Sequence, residues 1–219
     1  KKEDRTITPP NPWIMEYPIK SLPDYDVVKF IFEDTVYNPD YESFIWRDKQ
    51  VGDDGFVRVH SGKPPFQSLL LEFMGYKRLS IDLYRNRKEV EALMEVMEKK
   101  YFEVINILAD CPAEVISIGG NFNGRVTGPR FFEKYLLPTY RKASETLHRK
   151  NKIVQIHMDG ALACLKELIP KTDIDVVEAF TPPPIGDLPL SEARKAWGKD
   201  MIIEANFPGT VCLQGIDAV

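Results

Sequence analysis

After Gly55, short segments rich in β-branched residues alternate along the chain with longer segments of helical periodicity. The short segments have the length and composition of strands, and the longer ones repeat apolar positions every three to four residues. Strands that alternate with helices form βαβ units, which assemble into a parallel sheet with helices packed on it. The pattern therefore predicts strands at 56–60, 114–119, 153–157, 176–180 and 201–207, and helices at 65–74, 88–110, 128–150, 161–170 and 191–197.

Each predicted strand has one apolar face and one polar face, because successive side chains of a strand point to opposite sides. A sheet covered by helices on both sides would be apolar on both faces, whereas a barrel gathers polar side chains at the carboxyl ends of its strands. The glycines at 119–120 do not continue as the GxGxxG loop of an open nucleotide-binding sheet. We therefore predict an α/β fold, a (β/α)8 TIM barrel. We expect Gln155, His157, Glu178, Glu204 and Asn206 to point to the barrel axis, and Val154, Ile156, Val177, Ile203 and Ala205 to contact helices.

The chain offers five predicted strands where a closed barrel has eight, so we expect the barrel to be present only in part. The first fifty residues differ from the rest, with closely spaced prolines among Trp and Tyr residues. Ser21 followed by Asp24 resembles a capping box and predicts a short helix that continues to Asp34. The predicted domains are an N-terminal arm with this helix at 1–50 and a partial barrel of about five β/α units at 51–219.

Composition narrows the classes of function. The net charge is -4, with acidic and basic residues interspersed, and no basic stripe alternates with aromatic residues, so a nucleic-acid partner is not expected. No apolar run approaches the ~20 residues that cross a bilayer, and the first eight residues do not form a signal peptide. Three widely spaced cysteines, Cys111, Cys164 and Cys212, are typical of free thiols in a reducing compartment. The sequence therefore predicts a cytoplasmic protein without a membrane span.

His157 and Asp159 form the strongest candidate for chemistry. They lie two residues apart at the end of a predicted strand, so their side chains point the same way, and Gly160 allows a sharp turn after them. Imidazole and carboxylate are both Zn²⁺ ligands, which a third side chain would complete. The alternative is a structural pair, in which the aspartate simply hydrogen-bonds the histidine.

Glu178 and Glu204 occupy equivalent positions on the next two predicted strands. Buried carboxylates are costly unless they are paired, protonated or metal-bound, so both are candidates for acid–base catalysis, and either could instead form a salt bridge across the barrel. Cys212 is a candidate soft zinc ligand, although a structural or free cysteine is the commoner role. The candidate substrate-binding residues are Asn121, Asn206, Gln155 and His60, although asparagines at strand ends often only cap turns.

Three segments together resemble the uroporphyrinogen decarboxylase-like superfamily, which also contains cobalamin-dependent methyltransferases. They are the run GPRFFEKYLLPTY at 128–140, IHMDG at 156–160 and ANFP at 205–208, and the likeness extends over about 18–213. The resemblance implies a TIM barrel longer than this chain, whose first strands and last helices would be absent here. It is specific for the superfamily and not for one activity.

The resemblance implies two competing chemistries. The superfamily's methyltransferases bind zinc through a His-x-Cys pair and a later cysteine. Here His157 matches the histidine, Asp159 stands in place of the cysteine, and Glu178 is the predicted third ligand. A carboxylate makes zinc a harder Lewis acid, which suits an oxygen or amine substrate better than a thiol. The decarboxylase branch grips a tetrapyrrole with an Arg-Gln-Ala-Gly-Arg-like segment, which this sequence lacks.

The predicted function is zinc-assisted methyl transfer to or from a corrinoid protein that carries methylcobalamin. The alternatives are decarboxylation of a tetrapyrrole or aromatic acid, and a non-catalytic barrel fragment. The expected partners are a small-molecule substrate, the corrinoid protein and a second copy of the chain as a homodimer.

Overall fold

Five parallel strands form a sheet whose order follows the chain, from the first strand to the fifth. The structure is a computed structural model that describes residues 14–207. Strands joined by helical crossovers and paired in sequential, parallel order form the wall of a (β/α) barrel, so the predicted fold class is confirmed. The strands are β1 (Val59–His60), β2 (Val115–Ser117), β3 (Ile153–His157), β4 (Val176–Phe180) and β5 (Ile202–Ala205).

Eight α-helices lie within the described residues. They are α1 (Pro23–Asp34), α2 (Tyr41–Val51), α3 (Pro65–Ser68), α4 (Gly75–Arg85), α5 (Arg87–Asp110), α6 (Gly124–Phe131), α7 (Leu137–His148) and α8 (Leu190–Trp197). The predicted helices that correspond to α5 and α8 are confirmed to within a residue at each end. Helices α2 and α4 were not predicted.

The predicted helix 128–150 is interrupted. The structure has α6, then a π-helical turn over Phe132–Leu136, then α7. Gly128 has φ +70 inside α6 and is followed by Pro129, which lacks the N–H of a regular helix. The predicted helix 161–170 is wrong, because this segment forms two 3₁₀ turns, Ala163–Leu165 and Ile169–Thr172. Its first backbone N–H groups bond to the Asp187 side chain.

The hydrophobic core lies between the outer face of the sheet and the helices. Val154, Ile156 and Val177 are fully buried, as the strand alternation predicts. Helix α7 packs on both β3 and α5, which closes this layer. At the last strand the prediction holds only in part: Ile203 is partly buried against the core, whereas Ala205 is exposed rather than packed under a helix.

The N-terminal segment is docked on the barrel wall. Helix α1 packs against α5 and buries Tyr25 and Val28. The Asp24 carboxylate accepts hydrogen bonds from the backbone N–H groups of Lys20 and Ser21, and α1 ends at Asp34 as the sequence predicts. Across residues 14–207, none of the helices combines the length and the apolar character that a bilayer crossing requires.

Candidate functional site

Polar side chains of four strands lie toward the carboxyl end of the sheet. The parallel register places His157 of β3 directly beside Glu178 of β4. His60 of β1 lies beside Ser117 of β2, whose neighbour on β3 is Gln155. Because the carboxyl ends of parallel strands share one rim, residues far apart in sequence converge there.

The His157 ring is held by Glu178. Nδ1 of His157 forms a short hydrogen bond with Oε2 of Glu178, and since an ionised carboxylate can only accept, Nδ1–H is the donor. The other carboxylate oxygen of Glu178 lies 3.4 and 3.5 Å from the two terminal nitrogens of Arg58. The Glu178 side chain is only 16% exposed, so its charge needs these two partners.

Asp159 lies on the opposite side of the same ring. Its Oδ2 is 3.6 Å from Nε2 of His157, and the two side chains are 44% and 30% exposed. Two ligands on a tetrahedral zinc ion with bonds of 2.0–2.1 Å stand roughly 3.4 Å apart. Nε2 of His157 and Oδ2 of Asp159 therefore have the spacing of two neighbouring zinc ligands that face the mouth of the site.

The three predicted metal ligands do not converge on one point. Glu178 bonds Nδ1, whereas Asp159 faces Nε2, and these two nitrogens point to opposite sides of the ring. Within residues 14–207 no group of three or more His, Cys, Asp and Glu side chains is arranged to hold a metal ion. In this geometry Glu178 bonds and orients the His157 ring through Nδ1, and its predicted part as a third metal ligand stays a prediction. Cys212 lies outside the described residues.

A bulge in β4 shapes the rim beside Glu178. The register with β5 shifts between Val177 and Phe180, and Ala179 has φ +59, which is uncommon for a residue with a side chain. Asn206 closes the bulge, since its Nδ2 donates to the Ala179 carbonyl and lies 3.1 Å from Oγ1 of Thr181. The Asn206 amide, predicted to bind substrate, thus holds the end of β4 in place.

Comparisons with known proteins give the family and the fold of this chain. The family model described as Uroporphyrinogen decarboxylase (URO-D) matches residues 67–215, more than half of the chain. The chain belongs to the URO-D family. The resemblance seen in the sequence is thereby confirmed.

A solved structure with the same fold is a methyltransferase from Methanosarcina mazei. It superposes with a TM-score of 0.57 at 14% sequence identity, over 74% of this chain and 46% of that chain. At this identity the likeness concerns the fold, and this URO-D chain spans about half the length of that protein. A search of curated protein sequences gives no match.

Arg58 is a residue of this URO-D site that sequence reasoning missed. The strand alternation placed it on the same face as His60, which is the signal that could have identified it. The pKa of His60 is lowered from 6.5, first by desolvation and then by the positive charge of Arg58, which together outweigh the opposite effect of Glu178. The lowered pKa favours the neutral form of the His60 imidazole, which lies at the same rim as His157.

Other predicted residues lie apart from His157. Glu204 and Gln155 line a cavity of about 540 Å³ together with Ile153, Val176 and Ile202, which begin or nearly begin their strands. Glu204 is thus open to this cavity at the amino-terminal side of the sheet, and no hydrogen bond or ion pair within the described residues joins it to the His157 group. Asn121 is exposed and has φ +49, which fits a turn residue.

Beneath the rim, two buried polar groups have no partner within residues 14–207. They are Nε2 of Gln155 and Oγ of Ser117, neighbours in the β2–β3 register. Both face the inner side of the sheet below His157. They are available as hydrogen-bond donors to a polar group, which keeps Gln155 a candidate for substrate binding.

Proposed function

We propose that this chain carries the zinc-binding half of a URO-D-type methyltransferase, in which His157 and Asp159 help to hold Zn²⁺ for methyl transfer to or from a corrinoid protein. One observation carries the proposal. The His157 ring is fixed through Nδ1 by Glu178, and this leaves the Nε2 lone pair directed at the mouth with the Asp159 carboxylate 3.6 Å away. A fixed imidazole beside a carboxylate at zinc-ligand spacing is the arrangement that zinc enzymes use.

Each residue has a separate part in this function. Glu178 fixes the tautomer and direction of His157, and Arg58 compensates the Glu178 charge. Bound zinc would act as a Lewis acid that activates the methyl-accepting or methyl-donating group of the substrate. Asp159, a hard oxygen ligand, favours an oxygen or amine group over a thiol. His60, at the same rim, would hydrogen-bond the substrate.

A second function rests on the same His157–Glu178 pair. A histidine oriented by a carboxylate is also a general acid or base, which needs no metal. Decarboxylation of a tetrapyrrole or aromatic acid, with His157 as the proton donor, is therefore the alternative. If this alternative is correct, the decarboxylase activity persists after metal chelation.

Zinc content of the full-length protein tests the proposal. We expect close to one equivalent in the wild type, and most of it lost in His157→Ala and in Asp159→Ala. Glu178→Gln should keep zinc but bind it roughly 10–100-fold more weakly, as expected for a residue that orients a ligand. Cys212→Ser shows whether this cysteine completes the ligand set.

The matched control is His148→Ala. His148 bonds Asp175 at the opposite end of β3, so its removal should leave zinc unchanged. Methyl transfer from an O-methyl or N-methyl donor to cob(I)alamin, free or on the corrinoid protein, breaks the donor's C–O or C–N bond, releases the alcohol or amine and forms methylcobalamin; the absorption spectrum of the cobalamin follows this step. A wild-type protein that binds no zinc, or an unchanged zinc content in His157→Ala, would overturn the zinc proposal in favour of the decarboxylase.

A further inference from the structure

The Asp187 carboxylate joins three loops at the carboxyl end of the sheet. It lies in the loop after β4, and its Oδ1 accepts hydrogen bonds from the backbone N–H groups of Leu162 (2.7 Å) and Ala163 (2.9 Å) in the loop after β3. Its Oδ2 lies 3.3 Å from both Nε and a terminal nitrogen of Arg125, in helix α6 after β2. One side chain therefore ties together the loops that follow β2, β3 and β4.

Two of these loops, those after β2 and β3, are also packed backbone against backbone. The N–H of Gly160 donates to the Phe122 carbonyl (3.0 Å), and the N–H of Gly124 donates to the Ala161 carbonyl (2.7 Å). A Cβ at Gly160 would lie 2.4 Å from the Phe122 oxygen, so the contact requires a glycine there. Asp159 sits between the end of β3 and this anchored segment.

Gly186 lets the third loop reach this position. A Cβ on Gly186 would meet the Thr181 carbonyl oxygen at 1.8 Å, so only glycine allows the loop to fold back on itself. The fold brings Asp187 directly against the loop after β3. The tight backbone turn at Gly186 therefore determines where the Asp187 carboxylate lies.

We propose that Asp187 is a positioning residue for the functional site, which holds the loop after β3 so that Asp159 stays against Nε2 of His157. The inference deepens the proposed function and rests on it for the role of Asp159. Asp187 touches neither His157 nor Asp159 and acts through the backbone of Leu162 and Ala163.

The ionisation of Asp187 agrees with this role. Burial alone would raise its pKa, but the N–H groups of Ala163 and Leu162 and the charge of Arg125 lower the pKa below the ordinary 3.8. The side chain is therefore a carboxylate at neutral pH, the form that accepts from both amides. Charge-assisted bonds of this kind are the stronger class of hydrogen bond.

Chemical modification of histidines by diethyl pyrocarbonate tests the proposal without zinc. The three histidines of the chain report on separate places: His157 on the site, His60 on β1, and His148 on the far end of β3. In the full-length protein after chelation, Asp159 and the fixed ring limit access to Nε2 of His157. We expect Asp187→Ala to raise the modification rate of His157 several-fold, measured peptide by peptide in the mass spectrometer, with His60 and His148 unchanged.

Asp175→Ala is the matched control. Asp175 also accepts a backbone N–H bond from β3, from Val154 at 2.7 Å, and bonds His148 at 2.9 Å. Its loss should expose His148 and leave His157 as in the wild type. Asp187→Asn keeps an oxygen that can accept from both amides and should restore the wild-type rate at His157.

The possible results distinguish a specific role of Asp187 at His157 from a general structural role. An unchanged His157 rate in Asp187→Ala, or a rise shared by all three histidines, would show a general structural role and overturn the proposal. If Asp187→Ala does not fold, Asp187→Glu replaces it in the test. This variant displaces the carboxylate by one methylene and should also raise the modification rate of His157. Because zinc is removed beforehand, a failure of the zinc proposal leaves this test fully readable.

Discussion

The His157 ring meets two carboxylates that reach it by different routes. Asp159 follows two residues later in the chain, so the strand period alone puts both side chains on one face. Glu178 arrives from the next strand through the parallel register, with Arg58 behind it. The period-2 pattern predicted that the three residues would be near each other. Their opposite approach to the two ring nitrogens depends on side-chain directions, which no sequence pattern specifies.

The substitution Gly186→Ala should strongly destabilise the protein. Its new methyl group would overlap the Thr181 carbonyl oxygen, a backbone atom that cannot turn away. We expect a loss of about 1–3 kcal/mol or more in the free energy of unfolding, as for other overpacked positions. Urea denaturation followed by circular dichroism gives this value.

Gly120→Ala provides the comparison for Gly186→Ala. A Cβ at Gly120 would meet nothing within 4 Å, and its φ lies outside the left-handed range. Its free energy of unfolding should stay near that of the wild type. Equal stability of the two variants would contradict the loop geometry described here.

Among the secondary-structure elements, strands were predicted better than the connections between them. The bounds predicted for β3 and β4 agree with the structure, because both are compact runs of β-branched and apolar residues. The segment after β3 has helical periodicity but forms two 3₁₀ turns, Ala163–Leu165 and Ile169–Thr172. Tertiary contacts overrode the local preference there.

The docking of α1 gives a prediction at this scale. The Tyr25 hydroxyl donates to the buried Asp82 carboxylate at 2.7 Å, while Arg78 and Asn86 bind the same group. Tyr25→Phe removes one charge-assisted hydrogen bond and should cost about 1.5–3 kcal/mol of unfolding free energy. Hydrogen exchange should show the loss first in α1.

Tyr84→Phe is the control for this variant. The Tyr84 side chain is 88% exposed, and its change to Phe should leave stability and the exchange of α1 unaltered. A Tyr25→Phe protein as stable as Tyr84→Phe would mean that the Tyr25–Asp82 bond does not hold the N-terminal segment.

For the molecule as a whole, buried carboxylates should govern acid stability. Burial would raise the pKa of Asp82, but Tyr25, Arg78 and Asn86 together lower it below 3.8. A lowered pKa contributes stability that is present above 3.8 and lost as the pH falls from 3.8 to the lowered value. We therefore expect the free energy of unfolding to fall as the pH drops below 3.8, and to fall less in Asp82→Asn. Denaturation curves at a series of pH values measure both slopes, and parallel curves for the two proteins would refute the assignment.

The sequence by itself determined the α/β class, the parallel arrangement of the strands, the family and the position of His157 and Asp159 on one face of a strand end. These follow from the 2.0 and 3.6 residue periods and from contiguous motifs, which need no knowledge of distant contacts. Only the tertiary structure decided that Glu178 bonds Nδ1 of His157, that Asn206 closes a bulge, that Glu204 opens to the other end of the sheet, and that Arg58 pairs with Glu178. The physical reason is register: where a strand pairs, bulges and ends is set by packing between segments far apart in the chain.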